Sequence, residues 1–293
     1  MMAPGSQRFF LPILLLVIIG GLIYWYTGTH AYTKALPGKA EYGYQLIHNT
    51  AELFGPGGRI SVISNGMNCS HCHLDAGKNL QGIPLTRVYI QYPRFRERSG
   101  STESLHKRIK DCFERSLQCK APDSSSREFL SIVAYLKWLS ENTPPDTVSR
   151  SPVPFMNRAA DSSIGRQLFA MQCSRCHGQN GEGLRQADHS SFRYPPLWGM
   201  NSYSTGAGMY QLTKLARFIK YNMPFDKPAG TIRLSDEEAY DLAAFINSQE
   251  RLEFDIRRDW PVISTKPVDY PFGPYADTFS LERHKYGPWL NMK

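Results

Sequence analysis

The five-residue pattern C-x-x-C-H occurs twice in this chain of 293 residues, as CSHCH at Cys69–His73 and as CSRCH at Cys173–His177. Two thiols two residues apart, followed at once by an imidazole, can reach both vinyl groups of one porphyrin and carry the histidine under its iron. A four-cysteine zinc site is the first rival, but it needs the two pairs to meet, and they lie about a hundred residues apart. A redox-active pair is the second, and it needs a thioredoxin-like βαβ pattern that this sequence lacks. The pattern therefore predicts two covalently bound c-type haems. Cys69, Cys72, Cys173 and Cys176 are the attachment residues, and His73 and His177 the proximal iron ligands. His71, between the first two cysteines, reads as a solvated side chain.

The surroundings of the two motifs repeat. EYGYQLIHNTAELFG reads as a helix before the first, with Tyr44, Ile47 and Leu53 at helical spacing, and IGRQLFAMQ as a helix before the second. Gly43-Tyr-Gln-Leu46 aligns with Gly165-Arg-Gln-Leu168. STESLHKRIKDCFERS reads as a further helix. SSREFLSIVAYLKWLS and LSDEEAYDLAAFINSQ close the two units, each opened by a capping box, Ser125 with Glu128 and Ser235 with Glu238. The fold class expected is mainly α: two class I cytochrome c-like domains in tandem, residues 35–142 and 159–250, joined by a Pro- and Ser-rich linker at 143–158. Residues 1–34 hold an uncharged run of 18, Phe9–Tyr26, after Arg8. It reads as an N-terminal transmembrane helix, with a secretory signal as the alternative. Either reading puts the body on the periplasmic side. Residues 251–293 form a C-terminal extension whose aromatic content predicts an ordered strap. The net charge of +8 favours anionic partners, and no nucleic-acid-binding motif accompanies it.

For the second haem, Met223 in YNMPF lies 46 residues after His177, where class I cytochromes c place a thioether ligand. Met209, Met200, His189 and Lys220 are the reserves. The first unit has no Met-Pro. At the corresponding place, 39 residues after His73, stands Cys112. Four thioether bonds leave Cys112 and Cys119 over. A disulfide between them is one possibility. On one continuous helix, however, residues seven apart are separated by ~10.5 Å along the axis, beyond the Cα spacing of roughly 4.4–6.8 Å that a disulfide needs. Cys112 as an iron ligand is the other.

The segments NCSHCHLDAG (68–77), YPRFRERSGS (92–101), CFERS (112–116), PPLWGMNSY (195–203), NMP (222–224) and GPYADTFSLERHKYGPW (273–289) resemble the dihaem thiosulfate dehydrogenases that form tetrathionate. The likeness spans nearly everything after about residue 40, with Cys119 standing where a glycine is expected. It implies His73/Cys112 ligation at an active-site haem and His177/Met223 ligation at an electron-transferring one. It further implies oxidation of two thiosulfates to tetrathionate, or the reverse. The electron acceptor would be a small cytochrome, a high-potential iron protein or a membrane oxidase. Between Arg87 and Lys120 the chain carries nine Lys/Arg against four Asp/Glu. Joining two dianions needs fixed positive charge, and Arg94, Arg96 and Arg115 are the candidates, since guanidinium forks hold oxyanions bidentately. Arg98, Lys107 and Lys110 read as a solvated helix face. The alternative to an enzyme is a membrane-anchored dihaem electron carrier without its own substrate.

Overall fold

The structure is a computed structural model describing residues 35–144, 151–188, 191–226 and 233–292. The N-terminal hydrophobic run lies outside the described residues. Among the described residues no helix is long and apolar enough to cross a membrane.

The body is mainly helical and repeats itself. In the first unit, α1 (Gly38–His48) and the short α2 (Thr50–Phe54) precede the C-x-x-C-H loop. A hairpin of β1 (Arg94–Arg96) and β2 (Ser101–Glu103) follows, then α3 (Leu105–Ser116) and α4 (Arg127–Glu141). In the second, α5 (Ser162–Gln172) runs into α6 (Ser174–His177), which carries the motif. After it come β3 (Leu184–Arg185) paired with β4 (Phe192–Tyr194), then α7 (Leu212–Asn222) and α8 (Asp236–Ser248).

The same crossing organises both units, and glycine permits it. A Cβ on Gly43 would run into the Ser131 carbonyl oxygen and stand 2.8 Å from Tyr135 Cβ. A Cβ on Gly165 would run into the Asp241 carbonyl oxygen and stand 2.8 Å from Phe245 Cβ. In each case the partners lie four residues apart on the closing helix, so α1 on α4 and α5 on α8 are one geometry used twice. Leu46 and Leu168 follow three residues after each glycine and are buried.

Two cores result, and they interlock. Leu74 of the first unit packs in the second core, and Phe192 of β4 packs in the first. Polar contacts fasten the same seam. Asn65 Nδ2 donates to Ser202 O at 3.2 Å, and Asn222 Nδ2 to Gln81 O at 2.9 Å. Ser204 Oγ donates to Arg115 O at 2.7 Å.

Residues 251–292 lie over the body as an ordered strap, with one short helix, α9 (Leu281–Tyr286). Trp289 is buried against Tyr240 and donates from Nε1 to His284 O at 3.0 Å. His284, itself buried, stacks on Tyr275 at 3.4 Å between ring centroids.

Three local expectations are corrected. The first predicted helix breaks at Asn49 into α1 and α2. The α4 cap is Ser126, whose hydroxyl accepts from Phe129 N, while Ser125 turns back to Asp123. Arg98 lies in the β1–β2 turn, half-buried, and pairs with Asp259 at 3.0 Å instead of lying solvated on a helix.

Candidate haem centres and anion site

Each C-x-x-C-H is seated by its preceding helices. In the first unit Thr50 Oγ1, bonded to the Leu46 carbonyl, accepts from Cys69 N at 3.0 Å. Asn68 caps the motif: its Oδ1 accepts from Ala51 N at 2.8 Å, and its side chain also holds the His71 backbone N–H. In the second, α5 delivers Cys173 directly as its last cap, and His177 N donates to Cys173 O at 3.0 Å.

The two motif histidines share one arrangement. His73 Nδ1 donates to Ile83 O at 2.7 Å, and His177 Nδ1 donates to Pro195 O at 2.8 Å. A carbonyl only accepts, so Nδ1 carries the proton and Nε2 keeps its lone pair, the tautomer a metal requires. Burial opposes imidazolium at both, holding His73 down to about 4 and lowering His177.

The residues fit a porphyrin. An apolar cleft enclosing about 1260 Å³ of atom-free space, part of it open to solvent, is walled by Cys173, Cys176 and His177 and by Met223. Met209 shares the wall. Met200 is 65% exposed, Lys220 pairs with Asp236, and His189 lies outside the described residues. Met67, His71, Cys72 and Leu74 line the same cleft, so the first motif forms part of the second centre's wall. His71 is thus not the solvated side chain expected. Its Nε2 donates to Phe192 O at 3.0 Å and its Nδ1 accepts from Asn68 N at 3.1 Å, and burial lowers it to about 4. Among the described residues no three His, Cys, Asp or Glu side chains gather as a bare metal site.

Cys112 lies half-buried on α3, within electrostatic reach of Cys69 and Cys72. Cys112 and Cys119 are both free thiols. Helix α3 ends at Ser116, yet Cys119 turns towards Phe113 O, 3.7 Å from its Sγ, and burial pushes it up to about 12.

The basic residues divide into two groups. Arg115 holds Asp259 bidentately at 2.8 and 2.7 Å and lies 4.4 Å from the Phe254 ring centroid, so its fork is filled. Arg94 is exposed beside Gln91 and Tyr92. Lys107 is paired with Asp111. Arg96 is half-buried, near Tyr92 and 4.0 Å from Glu103. Arg108, one helical turn before Cys112, was missed by the sequence reading. Its guanidinium is pushed up chiefly by Cys112. Lys214 of α7, also missed, is exposed to solvent yet flanked by charged groups of the first unit. Desolvation there, then repulsion from Arg98, Arg96 and Arg108, lowers its ammonium to about 8 against the pull of Asp269. Arg96, Arg98 and Arg108 of the first unit therefore all act on Lys214 of the second, and Arg108 also acts on Cys112. The spacing of four between Arg108 and Cys112 was the available signal; none pointed to Lys214.

Comparison with known proteins identifies the two domains. The family model described as the SoxA/TsdA cytochrome c domain matches residues 61–144, and the cytochrome c model matches 162–250. The thiosulfate dehydrogenase of Stutzerimonas stutzeri is 35% identical over 226 residues, covering 74% of this chain and 71% of that protein. That of Allochromatium vinosum is 36% identical over 196 residues, covering 64% and 71%. The solved thiosulfate dehydrogenase (TsdBA) of Marichromatium purpuratum superposes with a TM-score of 0.65 at 30% identity. It covers 74% of this chain, which spans 48% of that longer one. Two tandem cytochrome c domains, each with its own C-x-x-C-H, carry two c-type haems, and the chain belongs to the thiosulfate dehydrogenase family of dihaem cytochromes.

Proposed function

We propose that the protein oxidises two thiosulfate ions to tetrathionate beside Cys112 and sends the two electrons out through the second unit. The observation that carries this reading is a free thiol next to the first C-x-x-C-H that is coupled to Arg108, with Arg96, Arg98 and Arg108 together acting on Lys214. Fixed positive charge beside a free thiol suits an anionic sulfur substrate, which electron transfer alone does not require. His73 and Cys112 are the ligands of the first iron, and His177 and Met223 those of the second. When bound, the haems supply two one-electron acceptors, the thiolate-ligated one of lower potential than the His/Met-ligated one.

The remaining work falls to the side chains. Two dianions brought into contact repel strongly, and the cationic groups offset that repulsion where sulfur meets sulfur. The S–S bond forms as two electrons leave, with no proton transferred, so no general base is needed. Arg98 is held in place by Asp259, and Arg108 by its position on α3. The hydrophobic run at Phe9–Tyr26 completes the reading as an anchor or signal delivering the protein to the periplasm.

Replacing Cys112 with Ala tests the assignment. Thiosulfate-dependent ferricyanide reduction should vanish while the mass still shows two haems. The ferric spectrum of the parent protein should carry a low-spin His/thiolate signal that the variant lacks. Full activity in Cys112→Ala would remove the thiol from the reaction.

A further inference from the structure

Most of the residues lining the second cleft are buried or half-buried. The lining residues that are exposed are Arg175, Arg193 and Phe225, and they mark its mouth. Phe225 is 64% exposed, and Met171, next to the lining residue Gln172, is 71% exposed. Arg193 lies 5.4 Å from the Tyr194 ring centroid. Arg175 pairs with Asp226, and Arg233 also acts on that carboxylate. Among the described residues, Arg175, Arg193 and Arg233 thus stand against Asp226 around this apolar tip.

From this we infer that the mouth formed by Arg175, Arg193 and Phe225 is the docking surface for a small acidic one-electron carrier protein, Phe225 serving as anchor and the arginines as steering charges. The occupant is chosen by charge complementarity. An acidic patch meets the arginines, and a carrier whose redox centre lies near its own surface comes opposite the opening of the cleft. Small ionic acceptors gain little from an exposed phenyl ring. A membrane surface would require a broader apolar face. The complex is expected to be transient, as electron-transfer encounters are, so its charges act mainly on the association rate.

The inference rests on the second unit being the electron exit, and its test does not require thiosulfate turnover. The full-length holoprotein is reduced with dithionite, freed of reductant, and mixed in a stopped-flow instrument with oxidised acidic plastocyanin or with a basic mitochondrial cytochrome c. The readout is the ratio of the second-order rate at low salt to that at high salt, where steering is screened. With plastocyanin the ratio should exceed roughly ten, in the range steering provides. With the basic cytochrome it should lie near or below one. The double variant Arg175→Glu/Arg193→Glu should invert the two ratios. Phe225→Ser should slow plastocyanin several-fold at both salts and leave the ratio intact. A faster low-salt reaction with the basic protein, or an unchanged ratio in the double variant, would overturn the assignment. If the protein fails with thiosulfate yet gives these ratios, the docking surface stands and the substrate reading falls.

Discussion

Lys214 offers the sharpest test of the anion site because its charge changes in an accessible pH range. An ordinary lysine stays protonated to about pH 10.4, whereas desolvation and three neighbouring guanidiniums bring this one to about 8. The sign follows directly. Below pH 8 the ammonium is charged and helps bind a dianion; above it the site loses one positive charge. The quantity to measure is kcat/KM for thiosulfate, which reports groups of the free enzyme. If only the protonated form binds productively, the competent fraction is about nine-tenths at pH 7 and about one-tenth at pH 9. The wild-type value should then fall about tenfold between those limits, with its bend near pH 8. Lys214→Arg keeps its charge throughout and should flatten the profile while retaining the neutral-pH value within a few-fold. Lys214→Met should be low and flat across the range, its KM raised more than its kcat is lowered. Ferricyanide is untouched by this pH range, so it serves as acceptor throughout. A wild-type-shaped profile in Lys214→Met would refute the placement of this lysine in the substrate site.

Two further substitutions probe the scaffold. Asp259→Asn leaves Arg98 and Arg115, 20% and 14% exposed, without their shared carboxylate. Losing one partner of so enclosed a set should cost about 2–4 kcal/mol and lower the Tm by roughly 5–10 °C in a thermal melt of the holoprotein; an unchanged Tm would mean the strap is held elsewhere. Gly43→Ala and Gly165→Ala place a methyl group inside a backbone carbonyl at equivalent helix crossings. Despite a helix-propensity gain of about 1 kcal/mol, each should destabilise its unit by a net ~2–4 kcal/mol in denaturant titration, and by similar amounts if the duplication is real.

The sequence carried the architecture because the motifs, the glycines and the caps are all local signals. Ser235 with Glu238 forms the capping box the pattern predicts. The α4 cap was misplaced by one residue because serines stand at 124, 125 and 126, and only the turn made by Asp123 decides among them. The arginines show a deeper limit. Arg108 and Arg115 stand four before and three after Cys112, so both flank it on one helix face. What separates them is Asp259, 144 residues beyond Arg115, which fills that fork and leaves Arg108 beside the thiol. No window of sequence around α3 contains that information. Lys214 was hidden for the same reason, since it belongs to the other unit.

This dependence on long-range contacts runs in both directions across the seam. Leu74 and Phe192 sit in each other's cores, His71 holds the Phe192 carbonyl, and three residues further along the same strand segment Pro195 O accepts from His177. The first motif and His177 are thus joined through β4, the following Pro195 and two hydrogen bonds. Two independent cytochromes joined by a linker would let the distance between their centres vary, and with it the rate at which electrons cross. The interlocked cores remove that freedom.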